Sequence, residues 1–159
     1  HTFQRFTRPI SPLSSKITNI TGITNDMLST AIPLQTGLSE FLAFSQNSTI
    51  VAHNAAFDIP WLLTNLMRYN LPYQDINIVC TLNWAKASKE PKCSLGALSK
   101  KYGLAHNNAH RALADAIVTK ELYAILTQKY PDMKPPKSLS DYTSICENLA
   151  KRYTEYVQS

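Results

Sequence analysis

The chain has 159 residues and a formal net charge of +5, with 16 Lys and Arg against 11 Asp and Glu. Apolar residues make up 44% of the sequence and charged residues 17%, which excludes a mainly disordered chain and fits one globular domain. No apolar run approaches the roughly 20 residues of a membrane-spanning helix, so we expect no membrane partner. The basic balance favours a polyanionic partner such as nucleic acid, although net charge alone is a weak signal.

The three cysteines, Cys80, Cys93 and Cys146, are odd in number and form no C-x-x-C pair. This pattern argues against a disulfide framework or a zinc site and favours a reducing compartment. We therefore expect a cytoplasmic protein.

Apolar spacing and helix stop signals predict strands that alternate with helices in the first half of the chain. In chain order these elements are a strand at 3–7 ended by Pro9, short helical turns at 16–28 broken at Gly22, a helix at 38–44, a buried strand at 49–52, and a helix at 60–69 with Pro60 in its first turn. Proline is tolerated there because its missing N–H costs little.

The second half continues the alternation. It contains a predicted strand at 76–80, helices at 81–87 and 94–102, and the longest helix at 111–130. Gly103 is a good residue to end the second of these helices. In the longest helix we expect an inward-facing stripe of Leu113, Ile117, Leu122, Ile125 and Leu126. Alternating strands and helices indicate the α/β class.

Residues 131–137 break the longest helix, and a last helix is predicted to begin near Ser138, which resembles a capping box with Asp141. Its apolar residues follow a heptad-like spacing, so the helix could pair with a second copy in a homodimer. The alternative, which we favour, is packing on its own domain. The predicted organisation is a domain at 1–130 and a C-terminal helical extension at 131–159.

Five lysines fall in one short stretch of the second half: Lys86, Lys89, Lys92, Lys100 and Lys101. They could form a patch that follows a phosphate backbone, or simply a solvated face.

Two short motifs carry candidate chemistry: HNAAFD at 53–58 and HRALADA at 110–116. Asp58 follows a predicted strand, where α/β sheets place their sites, and Asp115 lies one turn into the longest helix. Carboxylates from different elements can jointly hold hard cations such as Mg²⁺, and paired ions stabilise both oxygens of a phosphodiester displacement. His110, in the loop before that helix, could deprotonate the attacking water, because an unperturbed imidazole has a pKa of about 6.5.

Each of these residues also has a structural interpretation. Asp58 could cap a helix that begins at residues 59–60, and Asp115 could pair with Arg111 or Thr119 on its own helix. His110 could be a capping or surface residue. Their order and placement together favour metal-dependent phosphodiester hydrolysis.

HNAAFD followed by HRALADA resembles motifs II and III of the DEDDh exonucleases, in particular DnaQ-like enzymes such as the proofreading epsilon subunits of bacterial DNA polymerase III. Three further segments resemble family segments in the same order: TNITGITNDML, SEFLAF and CSLGALSKKYGL. Together the similar segments cover residues 3–129.

The resemblance implies an RNase H-like mixed sheet flanked by helices, and a 3′–5′ exonuclease that uses Mg²⁺ or Mn²⁺ and releases nucleoside monophosphates. It implies that Asp58 and Asp115 bind metal and that His110 is the general base. It also implies a site for the terminal nucleotide formed by Asn54, Phe57, Thr21, Gly22 and Ile23. We expect a single-stranded or frayed 3′ end of DNA as the substrate, with RNA as the alternative. The resemblance leaves a stand-alone enzyme and a DNA polymerase subunit both open.

The family's first motif, D-x-E on the first strand, has no counterpart in this sequence, which begins at the family's third strand. In the family's sheet order, 3-2-1-4-5, the two missing strands are central, so residues 3–7 are not expected to pair with residues 49–52. The chain could be a fragment, could take those strands from a second copy, or could be a non-catalytic relative. We expect a fragment of an active exonuclease, because losing central strands damages a fold more than losing two carboxylates. The alternative function is an inert module that binds nucleic acid or a polymerase.

Overall fold

The structure, a computed structural model, describes residues 1–72, 77–106, 111–132 and 137–138. Its elements are α1 (Ser15–Thr21), a 3₁₀ turn (Asp26–Leu28), α2 (Leu34–Ser45), β1 (Ile50–Ala52), α3 (Ala55–Arg68), β2 (Asn77–Cys80), α4 (Thr81–Ala87), α5 (Leu95–Tyr102), α6 (Ala112–Lys129) and β3 (Lys137–Ser138). The alternation of strands and helices confirms the predicted α/β class.

The sheet of the described residues is mixed and has the order β1-β2-β3. β1 and β2 run parallel, with Ile50 opposite Ile78 and Ala52 opposite Cys80, as expected for strands joined through a helix. β2 and β3 run antiparallel. Within the described part of the chain, the other edge of β1 has no strand partner.

Buried side chains form three clusters that fix the helices around the sheet. The first joins the start of α3 to β2, the second joins α4, α5 and α6, and the third joins α2 to α3. Their buried members are Ala55, Ile59, Leu63 and Ile78; Trp84, Ala85, Leu98, Leu122 and Leu126; and Leu38, Leu62 and Leu66.

The predicted start of α3 at Pro60 is wrong, because the helix begins at Ala55 with Asn54 as its N-cap. Pro60 lies inside the helix and is buried. An internal proline removes a backbone hydrogen bond, but burying Ile59 and Leu63 offsets that cost. Asp58 therefore lies in the first turn, and the suggestion that it caps a helix starting after it is excluded.

Residues 3–7 were predicted as a strand, and the structure shows only one parallel bridge, from Thr7 to Ile32. The Arg8 N–H donates to the Ile32 carbonyl at 2.8 Å. Side chains hold the rest of the segment on α2: the Phe3 ring stacks on Phe44 at 5.3 Å, and Arg5 pairs with Glu40 at 2.7 Å. No longer strand forms because no described sheet strand lies beside this segment.

The close approach of Thr7 to α2 depends on a glycine. A Cβ atom at Gly37 would lie 2.7 Å from the Thr7 methyl carbon. We expect Gly37→Ala to lower the free energy of unfolding by about 1–3 kcal/mol through overpacking, measured by urea denaturation. Thr7→Ser removes the methyl group, so the double variant should recover most of the loss. Additive losses in the double variant would contradict this explanation.

The inward face of α6 differs in part from the predicted stripe. Leu122 and Leu126 are buried as expected, but Ile117 is 49% exposed, and Val118 is buried in its place. Successive residues are rotated by about 100° around a helix, so Val118, Leu122 and Leu126 share a face that Ile117 does not reach.

Ser138 pairs in β3 rather than starting a helix. Residues 139–159 lie outside the described residues, so the C-terminal helix and the boundary at 130 stay predictions. Cys146 lies there as well. Among the helices that are described, none is long and apolar enough to cross a membrane.

Candidate active site

Asp58 and Asp115 occupy equivalent positions on two helices. Asp58 lies in the first turn of α3 and Asp115 in the first turn of α6. Both helices pack against β1, so one strand positions both. The partial positive charge at a helix N-terminus favours a carboxylate in the first turn. The structure thus confirms that the two carboxylates come from different elements.

Asp58 is an exposed residue, but neighbouring atoms partly desolvate its carboxyl group. Burial raises its pKa above the ordinary aspartate value, and a hydrogen bond with its own backbone opposes the rise. A desolvated carboxylate is stabilised by a nearby cation. Asp58 is therefore suited to hold positive charge.

Asp115 pairs with a histidine that the sequence motifs did not single out. His106 Nε2 lies 2.6 Å from Asp115 Oδ1, and the His106 side chain is only 12% exposed. The Ser99 hydroxyl lies 3.5 Å from His106 Nδ1. This contact, rather than the proposed pairing with Arg111 or Thr119, orients the Asp115 side chain. The available signal was a second histidine, just past the Gly103 helix stop and nine residues before Asp115.

His110 lies outside the described residues, in the stretch 107–110. Both flanks of that stretch are fixed: His106 contacts Asp115, and Arg111 Nη1 donates to the Thr21 carbonyl at 3.2 Å. The Arg111 contact joins the start of α6 to the end of α1 across 90 positions of sequence. It links the HRALADA motif to the segment around Thr21, which is predicted to contact the terminal nucleotide.

The turn after α1 is held in one conformation. Gly22 has φ +66°, a left-handed conformation that glycine adopts without strain, and its N–H donates to the Thr18 carbonyl at 2.7 Å. The Thr21 hydroxyl donates to the Ile17 carbonyl at 2.9 Å and accepts from the Ile23 N–H at 3.2 Å. The predicted break at Gly22 is confirmed.

A cavity of about 890 Å³ lies between the N-terminal segment, α1 and α3. Thr21, Ile23 and Phe57 line it, so three of the five residues predicted to contact the terminal nucleotide meet there. Phe57 is 77% and Trp61, also in the lining, 54% exposed. The volume falls within the range of about 300–1,000 Å³ typical of ligand sites, and large exposed aromatic rings offer stacking surfaces.

Asn54, another predicted contact, has φ +75°. Asparagine is one of the few residues with a side chain that tolerates this left-handed conformation. Its side chain makes no capping hydrogen bond and the residue is exposed. Backbone strain of this kind is common at functional sites. Asn54 and Gly22 do not line the cavity.

His53 connects the ends of β1 and β2. Its Nδ1 lies 2.9 Å from Thr81 Oγ1, and the Thr81 hydroxyl donates to the Ala52 carbonyl at 3.3 Å. Burial lowers the pKa of His53, and the backbone of Cys93 partly offsets this. The contacts of His53 and Thr81 fix the strand ends before Asn54 and α3.

The donor chemistry of Asp58 and Asp115 suits Mg²⁺ or Mn²⁺, since hard cations prefer carboxylate oxygens. In the part of the chain that is described, no three His, Cys, Asp or Glu side chains form a group able to hold a metal ion. The two carboxylates could thus supply part of a metal site.

Comparison with known proteins shows that the chain is similar to nucleases. Residues 1–123 match the model of the RNase T exonuclease family. The chain is 36% identical to the PolC-type DNA polymerase III of Streptococcus pneumoniae serotype 2 (strain D39 / NCTC 7466) over 129 residues, which cover 80% of this chain and 9% of that polymerase. The chain therefore spans less than a tenth of that relative.

Two solved structures are similar in fold. Exonuclease X in complex with 5′ overhanging duplex DNA has a TM-score of 0.59 at 26% identity, covering 80% of this chain and 73% of that chain. The nuclease domain of 3′hExo, a DEDDh family member bound to rAMP, has a TM-score of 0.68 at 16% identity, covering 85% of this chain and 76% of that domain. These neighbours confirm the RNase H-like fold class. The chain belongs to the RNase T exonuclease family.

Proposed function

We propose that this chain contributes the substrate cavity and two metal-binding carboxylates to a 3′–5′ exonuclease that acts on DNA. The observation that carries the proposal is the contact of Arg111 with the Thr21 carbonyl. It joins the cavity lined by Thr21, Ile23 and Phe57 to the helix that carries Asp115. Membership of an exonuclease family supports hydrolysis of nucleic acid ends.

In this proposal the cavity holds the 3′-terminal nucleoside. The exposed rings of Phe57 and Trp61 would stack on or pack against the base, a contact worth roughly 1–3 kcal/mol per stacked base. Arg8, exposed at the cavity, would attract the phosphate. The fixed turn at residues 21–23 would limit how deeply the strand enters and would leave the last phosphodiester bond near the helix N-termini.

Asp58 and Asp115 would hold Mg²⁺ or Mn²⁺, which when bound lowers the pKa of a water and stabilises the negative charge that develops on the phosphate. His106 would keep Asp115 in its ligating orientation through the Nε2 hydrogen bond, because supporting hydrogen bonds orient ligating carboxylates. His110 would accept the proton of the attacking water, as the family resemblance implies.

DNA is proposed as the substrate because the solved relative Exonuclease X is bound to DNA and the bacterial relative is a DNA polymerase. The same polymerase relative supports a proofreading role and a polymerase as the partner. The chain spans 9% of that polymerase relative, so activity is tested on the natural full-length protein.

We expect the full-length protein with Mg²⁺ or Mn²⁺ to shorten a 5′-labelled single-stranded DNA one nucleotide at a time, releasing nucleoside monophosphates. Gel electrophoresis of timed samples measures the ladder, and chromatography identifies the product. EDTA should stop the reaction, and a phosphorothioate linkage at the 3′ end should slow it. RNA of the same sequence tests the alternative substrate. Binding without any shortening would instead support an inert binding module.

A further inference from the structure

Two helices and a loop converge on one buried carboxylate, far from the candidate active site. The Glu90 side chain is only 2% exposed and lies in the α4–α5 loop. It accepts hydrogen bonds from Lys101 and Tyr102 at the end of α5. It also accepts from Tyr130 at 3.1 Å and from Lys129 at 3.4 Å, both at the end of α6. Glu90 therefore fixes two lysines relative to each other.

The tyrosines hold Lys129 further. Its Nζ donates to the Tyr102 hydroxyl at 3.1 Å and lies 5.2 Å and 5.1 Å from the ring centroids of Tyr102 and Tyr130. Hydrogen bonds to these tyrosines raise the pKa of Lys129, and Glu90 raises the pKa of Lys101. Both amines stay protonated at neutral pH while remaining more than 40% exposed.

Four more exposed lysines lie between positions 86 and 100. Together with Lys101 and Lys129 they form a set that we call the lysine surface: Lys86, Lys89, Lys92, Lys100, Lys101 and Lys129. Lys89 directly precedes Glu90, and its N–H donates to the Lys86 carbonyl at 3.0 Å. Glu90 is the one acidic residue between positions 86 and 101, and its charge is turned inward. The exposed charge of this segment is thus entirely positive.

The lysine surface lies well away from the reacting groups. Lys129 follows Asp115 by 14 residues on α6, which is roughly 21 Å at the helical rise of about 1.5 Å per residue. That separation corresponds to about six nucleotides of a strand with helical stacking, which rises about 3.4 Å per nucleotide. The surface is too distant to contact a terminal nucleotide at Asp115, but it lies within reach of the strand behind it.

We propose that the lysine surface binds the phosphate backbone of the nucleic acid about six nucleotides from the end that enters the active site. This rests on the proposed function and adds a second contact region to it. Among the described residues, the large exposed apolar side chains lie outside the lysine surface: Ile10, Ile17, Ile20, Met27, Phe44, Phe57, Trp61, Met67 and Ile117. A protein interface would need an apolar centre, whereas a phosphate backbone needs only positive charge.

The test measures DNA binding by the full-length protein, using fluorescence polarisation over a series of salt concentrations. EDTA is present throughout, so that hydrolysis does not interfere. The variant K89Q/K92Q/K100Q leaves Lys101 and Lys129, and hence the Glu90 contacts, intact. On a long single strand we expect the slope of log affinity against log salt to become shallower by about 0.7 per lysine removed. A dinucleotide is too short to span the roughly 21 Å separation even when fully extended, so it should bind wild type and variant alike.

Lys120 provides the matched control. It is exposed on α6, nine residues before Lys129 and therefore on roughly the opposite side of the helix. K120Q should leave the slope unchanged. An unchanged slope in the triple variant, or tighter binding of poly-glutamate than of DNA of equal charge, would overturn the proposal. A changed slope in a protein that cannot hydrolyse DNA would support the lysine surface and contradict the proposed function.

Discussion

Replacing Asp115 with asparagine should lower the exonuclease rate of the full-length protein by roughly 10²- to 10³-fold, the usual cost of losing one group that stabilises developing charge. The substitution keeps the side-chain shape and an oxygen that can accept from His106 Nε2. It removes the negative charge on which the proposed cation binding at the start of α6 depends. The effect should therefore fall on activity far more than on folding.

Glu121→Gln is the matched control, because Glu121 is exposed on the same helix and loses the same charge. We expect its turnover rate to stay within about twofold of wild type, since surface changes remote from the site seldom alter function. Steady-state rates on 5′-labelled DNA and thermal unfolding curves should be recorded for both variants. If Asp115→Asn melts earlier but cleaves DNA at a near-normal rate, the His106–Asp115 pair has a structural role only.

Local signals made several elements predictable from sequence. The helix at Thr81–Ala87 was predicted with its observed bounds, and the stops at Gly22 and Gly103 were confirmed as left-handed caps. The required conformations are set by one or two neighbouring residues, so a short window of sequence contains the information. The position of Asp115 in the first turn of α6 was also predicted, whereas the predicted start of α3 wrongly placed Asp58 before the helix.

Features that depend on distant contacts were not predictable. Pro60 is a local signal for a helix start, but burial of Ile59 and Leu63 against the sheet extends α3 back to Ala55. Ile117 fits an apolar stripe by spacing, yet α4 and α5 pack on the face of Leu122 and Leu126, where Ile117 does not lie. In both cases tertiary packing outweighs local preference.

The candidate active site shows the same difference between local signals and distant contacts. The motifs indicated the carboxylates, but the His106–Asp115 contact and the Arg111–Thr21 contact join residues from separate segments. The sequence did not indicate that Glu90 is buried, since a single glutamate among lysines is typical of a solvated face. Only the meeting of α5 and α6 around it reveals a buried acceptor.

The second large effect is expected at Glu90. Replacing it with alanine leaves the Tyr102 and Tyr130 hydroxyls without their shared acceptor and two lysines without a counter-charge. Breaking a buried charge pair costs about 3–5 kcal/mol. Because both lysine side chains are more than 40% exposed and regain water, we expect a loss of about 2–4 kcal/mol in the free energy of unfolding at pH 7.

This loss should depend on pH in a defined direction. The hydrogen bonds from Lys101 and Tyr102 lower the pKa of Glu90 to about 2, below its ordinary value of 4.5. A lowered folded-state pKa stabilises the fold above the unfolded pKa, and the contribution disappears as the pH falls toward the folded pKa. The difference in unfolding free energy between wild type and Glu90→Ala should therefore be constant near neutrality and shrink between about pH 4.5 and pH 2.

Glu40→Ala is the control, because Glu40 also pairs with a cation, Arg5, but both side chains are exposed. Exposed pairs contribute about 0–1 kcal/mol, so this variant should lose little stability, and its difference from wild type should vary little with pH. Urea denaturation at a series of pH values measures both variants. A loss at Glu90 no larger than that at Glu40 would mean that the carboxylate is solvated and does not hold α5 and α6 together.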